Sequence, residues 1–246
     1  MVLTIAFTMI LFGGLHTKAE MDESQSAELR HPRSILGSKG LGGNCNTNNG
    51  MTQEARNTFL NEHNKLRVSF FLQYIFIDRS LVAKGMAENP LGSNGYAPKA
   101  ARMPKMVYDC TVEQTALNHA KECQFKHSKG SALPPCDLSF KASQSWFSEL
   151  KKSGVPPDNR LTVELWNRRN KVVGHYTQMV WEASYRLGCG IALCQQMTLV
   201  VCQYAPRGNM MGSLIYNVGE PCKTDSDCQC NGCTCSRNEA LCIKPA

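Results

Sequence analysis

His175 stands in the stretch Gly174-His175-Tyr176-Thr177-Gln178-Met179-Val180-Trp181, where one imidazole neighbours a hydroxyl, an amide and two large aromatic rings. A neutral imidazole can take up a proton, pass one on or ligate a metal, so this octapeptide holds the groups that acid–base or metal chemistry would use. Gly174 supplies a flexible entry. Tyr176, Val180 and Trp181 fall at a spacing that a helical turn gathers near one side, with His175 at the start of that turn. Read alone, a histidine beside such an apolar side is a packed residue. The rest of the chain has to decide otherwise.

A second concentration of reactive side chains lies between Cys222 and Cys242, with six cysteines in 21 residues and almost no apolar content. A segment of this kind cannot build a core and must be stapled, by disulfides or by zinc held through thiolates. The start of the chain favours disulfides. Val2 to Leu15 is nearly continuous apolar sequence, too short to span a bilayer, and small residues follow at Thr17-Lys18-Ala19. Residues 1–19 therefore read as a secretory signal peptide. Thirteen cysteines in a chain routed this way imply an oxidising compartment and a disulfide framework, with one thiol left over.

The 246 residues, 42% hydrophobic, suffice for one well-cored domain plus a small appendage. The net charge of +7 is scattered. Its densest pairs, Lys151-Lys152 and Arg168-Arg169, read as solvated faces rather than nucleic-acid contacts. No later apolar run is long enough to anchor the mature chain, so neither nucleic acid nor stable membrane insertion is expected.

Several elements must position these groups. Residues 20–44 form a polar, glycine- and asparagine-rich lead-in tied down at Cys45. Thr52 is a plausible N-cap for a helix to about Arg67, with Phe59, His63 and Leu66 on one face. Val68 to Arg79 is dense in aromatic and β-branched residues and fits neither neighbour. Thr111-Val112-Glu113-Gln114 reads as a capping box opening a second helix through about Cys123. Trp146, Phe147 and Leu150 mark a third, ended before Gly154 and Pro156. Gly188 to Cys194 and Thr198 to Tyr204 read as two strands of an antiparallel hairpin.

Two of these stretches resemble the signatures of the CAP superfamily of sperm-coating, antigen 5 and pathogenesis-related proteins. Gly174 to Trp181 matches the first, and Val201-Cys202-Gln203-Tyr204-Ala205-Pro206-Arg207-Gly208-Asn209 the second. His63 to Arg67, Pro98 to Ala101, Met106 to Cys110 and Cys123 to Ser128 add to the likeness, which runs from about residue 45 to 246. With the Cys222 to Cys242 tail, the sequence is most similar to secreted proteins of parasitic nematodes, especially hookworms. The resemblance implies an α+β fold, a three-layer α-β-α sandwich over residues 45–218, with a C-terminal cysteine-rich hinge over 219–246. It also implies a cleft where two histidines and two glutamates converge, sometimes around zinc. His127, His175 and Glu149 match three of the four. The fourth belongs to a Gly-Glu-Asn motif that is missing here, since the 18 residues between His127 and Trp146 contain no glutamate. Each histidine remains open between zinc ligation, with water as fourth ligand, and a hydrogen-bonded role. Removing Val68 to Arg79 would join Arg67 to Ser80 and restore the family pattern, which marks the segment as an insertion.

For function, the resemblance implies a secreted, non-enzymatic effector with no required cofactor. Related hookworm proteins are associated with blocking leukocyte or platelet integrins, so the expected partner is a host cell-surface protein such as an integrin; a dimer is an open option. A lipid or sterol carrier is the alternative. A hydrolase using His175 ranks lower, because Ser128 and Thr177, the hydroxyls adjacent to the motif histidines, lie in no recognisable nucleophile context.

Overall fold

The structure, a computed structural model, describes residues 3–8, 45, 49–64, 79–123, 135–195 and 197–245, with backbone alone for 3–8 and 135–137. The expected insertion up to residue 78, His127 and Ser128 thus lie outside the described residues. In chain order the elements are β1 (Leu3–Thr8), α1 (Gln53–Asn64), α2 (Arg79–Ala83), β2 (Val107–Tyr108), α3 (Cys110–Lys121), α4 (Pro135–Ser153), α5 (Val163–Trp166), α6 (Gly174–Met179), β3 (Arg186–Leu193), β4 (Thr198–Ala205), a 3-10 turn (Asp225–Cys228), β5 (Thr234–Ser236) and β6 (Leu241–Ile243).

Helix ends follow local chemistry. Thr52 caps α1, its hydroxyl accepting the Ala55 amide at 3.1 Å. The capping box expected at Thr111 does not form. Asp109 takes that place, its carboxylate accepting the Thr111 and Val112 amides at 2.9 and 3.0 Å, so α3 begins at Cys110. A charged acceptor at the positive end of the helix wins over a hydroxyl two residues later. α4 stops where Gly154, at φ 71°, enters the left-handed region and returns its amide to Leu150 O at 2.8 Å.

The main sheet has the order β1-β4-β3-β2. β3 and β4 form the expected antiparallel hairpin, in register from Arg186↔Ala205 to Leu193↔Thr198, and the Cys189–Cys202 disulfide crosses it. β2 joins β3 in parallel at Val107↔Arg186. β1, inside the stretch expected to be the signal peptide, runs antiparallel to β4 from Leu3↔Tyr204 to Thr8↔Leu199. In the full chain it closes one edge of the sheet.

Helices cover both faces of this sheet, giving the three-layer α-β-α sandwich. α3 lies on the face of Gly188 and Gly190, where a Cβ would sit 2.0 Å from Glu113 N or 2.7 Å from Leu117 Cα. Glycine is what lets the helix backbone come this close. α1 packs on the opposite face, where His63 reaches Tyr204, and α4 and α6 stack beyond it. Phe59, Trp146, Leu150, Tyr176, Cys202 and Tyr204 belong to one buried apolar cluster.

Two buried cations tie the layers together. Arg56 on α1 binds Glu113 on α3 with both carboxylate oxygens, at 2.6 and 2.8 Å, and the Tyr108 hydroxyl donates to the same group at 2.7 Å. Burial pushes the Glu113 carboxyl up, but the hydrogen bonds from Arg56, Asn49 and Tyr108 outweigh this and hold it below the usual carboxylate range. Arg79 is buried and donates to three carbonyls, of Pro104, Met179 and Trp181, each at 2.8 Å. Its desolvation pushes the guanidinium down to about 9. The expected insertion included Arg79; the structure instead makes Arg79 a core residue, because only a long multi-donor side chain satisfies three converging carbonyls.

The tail is disulfide-built, as expected. Its bridges are Cys222–Cys235, Cys228–Cys242 and Cys230–Cys233. The sulfurs of Cys222, Cys228 and Cys242 cluster, but all three are in disulfides, which removes the thiolates a zinc ion would need. Lys105 N donates to Cys242 O and Cys242 N to Met103 O, both at 2.8 Å, and Leu241 joins the main apolar cluster. Cys45–Cys110 anchors the lead-in and Cys123–Cys194 links α3 to the hairpin. These six bridges use all the cysteines except Cys136. Among the described residues, no helix is long and apolar enough to cross a membrane.

Candidate functional site

The site forms where α4 meets α6. Trp146 and Glu149, three residues apart on α4, share one face of that helix. Glu149 Oε1 lies 2.6 Å from His175 Nδ1, and Oε2 accepts the amides of His175 and Tyr176 at 2.9 and 3.1 Å. One carboxylate therefore fixes the imidazole and also satisfies the first turn of α6, which has no side-chain cap of its own. The Trp146 indole lies parallel to the His175 ring, interplanar angle 1° and centroids 5.7 Å apart. The His175 side chain keeps 27% of its surface open, and Glu149 keeps 14%.

The second signature locks onto the first. Thr177 Oγ1 donates to Asn209 Oδ1 at 2.8 Å, and Asn209 Nδ2 donates to Gly174 O at 2.8 Å. Gln178 Oε1 accepts the Gly208 amide at 3.1 Å, and its Nε2 donates to Ser184 Oγ at 3.0 Å. A Cβ at Gly208 would lie 2.5 Å from the Trp181 ring and 2.7 Å from Gln178 Oε1, so only glycine lets the loop approach. His175 therefore sits on a short helix held from two sides.

Sequence reasoning placed Glu149 and His175 in one cleft, and the structure brings them together. His127 lies outside the described residues. Glu149 is occupied in orienting the ring, the arrangement in which a carboxylate fixes the tautomer of an imidazole. Of the three residues expected to hold a metal, Glu149 and His175 are described, one short of the three protein ligands that zinc sites use. Trp146, Asn209 and Ser184 were not foreseen as parts of the site. Trp146 carried a signal in its spacing of three from Glu149 on a helix, and Asn209 in its place at the end of the second signature.

His63, the other motif histidine described, is a core residue. Its Nδ1 lies 2.8 Å from Phe59 O and its Nε2 2.7 Å from the Tyr204 hydroxyl. Burial pushes its pKa down to about 4.

The model of the cysteine-rich secretory protein (CAP) family matches residues 60–204. This chain is a CAP protein. It is 44% identical over 217 residues to Ancylostoma secreted protein of Ancylostoma caninum, covering 82% of this chain and 47% of that one. It thus spans about half the length of that relative. The crystal structure of NaASP2 with Zn2+ superposes with a TM-score of 0.65 at 43% identity, over 80% of this chain and 98% of that one. Hookworm platelet inhibitor 1 of Ancylostoma caninum is 32% identical over 153 residues, 59% of this CAP chain and 72% of that protein. The six disulfides and the secreted relatives point to an extracellular setting.

Proposed function

We propose that this CAP protein is a secreted, non-enzymatic effector that binds a host cell-surface protein, with a leukocyte or platelet integrin as the first candidate. The observation that carries the reading is the commitment of the site's polar groups to architecture. Glu149 holds α6 through three hydrogen bonds, and the candidate hydroxyl of Thr177 donates to Asn209. A nucleophilic mechanism would need that hydroxyl within reach of the base. A rigid, disulfide-bonded surface suits recognition instead. Likeness to a protein named as a platelet inhibitor supports a host blood cell as target, and fold alone would not choose the partner.

The test is binding of fluorescently labelled secreted protein to human leukocytes and platelets, with competition by integrin-blocking antibodies. Saturable binding displaced by those antibodies is the expected result. Absence of binding to either cell type would overturn the reading, as would turnover of a peptide or ester substrate that disappears in H175A. No cofactor is required, so a zinc-chelated preparation is expected to bind as well as a zinc-supplied one.

A further inference from the structure

The two basic pairs that stand apart in the sequence meet in space. Lys151 and Lys152 lie in the last turn of α4. Arg168 reaches that helix end, donating to Ser153 O at 2.9 Å and Gly154 O at 2.6 Å. The chain then turns tightly, Lys171 N donating to Arg168 O at 3.3 Å, with Asn170 in the left-handed region at φ 59°. This turn, which follows the Arg168 contact to the end of α4, carries Arg169 and Lys171, and Lys152, Arg169 and Lys171 are all exposed. Lys151 is shared with Glu88 at 2.6 Å. Asp158 and Glu164 are the other exposed carboxylates on the neighbouring segments, so the five cations outnumber the carboxylates beside them.

An aromatic ring borders the same patch. Trp166, at the end of α5, lies against Gly174, its ring carbons about 3 Å from where a Cβ would stand, yet 46% of its surface is open. An indole this open leaves apolar area that a ligand can cover.

We infer that Lys151, Lys152, Arg168, Arg169 and Lys171, with Trp166, form a binding site for a sulfated glycosaminoglycan chain. A row of cations on an open surface suits a linear polyanion, which meets each charge with a repeated sulfate. The exposed indole supplies a flat apolar face against which a sugar ring can lie, and a purely acidic peptide segment has no use for it. An extracellular protein meets such chains on every cell surface. The site is separate from recognition of a host protein and does not depend on that reading.

The experiment is calorimetric titration of the secreted protein with a fully sulfated heparin octasaccharide at low and at physiological salt. K152Q/R169Q/K171Q is expected to weaken binding by about tenfold or more and to reduce the salt slope by about two to three. W166A should weaken it several-fold with the salt slope unchanged. The control K121Q/K141Q/K223Q removes equal charge elsewhere and should stay within about twofold. Equal losses in both triple variants would reduce the effect to net charge and overturn the site. So would an unchanged W166A, or a poly-glutamate peptide binding the same patch as tightly as the octasaccharide. Cells stripped of heparan sulfate by heparin lyase should retain integrin-dependent binding, which separates this proposal from the previous one.

Discussion

Around β3 and β4 the chain is held by two helical layers pressed onto the sheet, with a buried ion pair and one cross-strand disulfide, whereas the tail's own buried cluster, between Cys222 and Cys242, consists of cysteines. The sheet region gains stability from burying apolar area, which punishes any change of shape. The tail gains it from chain connectivity, which tolerates almost any side chain between the bridges. The same protein thus combines a region whose sequence is constrained at nearly every position with one constrained mainly at its cysteines.

The largest contrast should come from C228S/C242S. Loss of that bridge costs about 3 kcal/mol by loop entropy, and the tail has little apolar area to make up the difference. Amide exchange should lose its protection over β5 and β6 while β3 and β4 keep theirs; a sheet that melts together with the tail would erase the distinction.

Acid should act on the other region. His63 has a folded pKa of about 4, below its ordinary 6.5. As pH falls from about 6.5 to 4, the unfolded chain takes up a proton that the folded chain refuses, so stability is lost in that window and regained as pH rises. The His63 contribution amounts to about 3 kcal/mol. Urea midpoints measured across this range should show the loss, and H63Q should flatten the slope.

E149A should cost about 2 kcal/mol, since it leaves three donors on His175 and Tyr176 without their acceptor, and E149Q should cost less because its amide oxygen can still accept. Thermal unfolding of the two variants would show it. Paired glycine substitutions refine the comparison further. G190A forces a Cβ to within 2.7 Å of the α3 backbone and should cost about 1–3 kcal/mol. G232A in the tail has room, its nearest neighbour being Pro245 at 3.6 Å, and should cost only about 1 kcal/mol for its φ of 70°. Equal effects on the denaturation midpoint would mean that the tail is packed as tightly as the sheet.

Much of the frame was legible in the sequence. The β3–β4 hairpin announced itself by two apolar runs with matched cysteines, and the ends of α1 and α4 by Thr52 and Gly154. The start of α3 was misplaced because a hydroxyl and a carboxylate both offered caps, and only geometry chose Asp109. β2 was illegible, since a two-residue parallel pairing leaves no periodicity. In the site, Glu149 and His175 were recoverable from motif likeness. Their mutual hydrogen bonds, and the grip of Asn209 on Thr177, depend on contacts across 26 and 32 positions of chain that no local pattern encodes. The meeting of Lys151-Lys152 with Arg168-Arg169 was missed for the same reason.

The buried arginine before Ser80 stands at the end of the segment expected to be an insertion. Residues 67 and 79 are both arginine, so excising either 67–78 or 68–79 leaves the same sequence, Leu66-Arg-Ser80. A shortened chain keeps a guanidinium for the carbonyls of Pro104, Met179 and Trp181, whichever joint is cut. Twelve residues can therefore be removed at either joint with an arginine still standing before Ser80 to fill that slot.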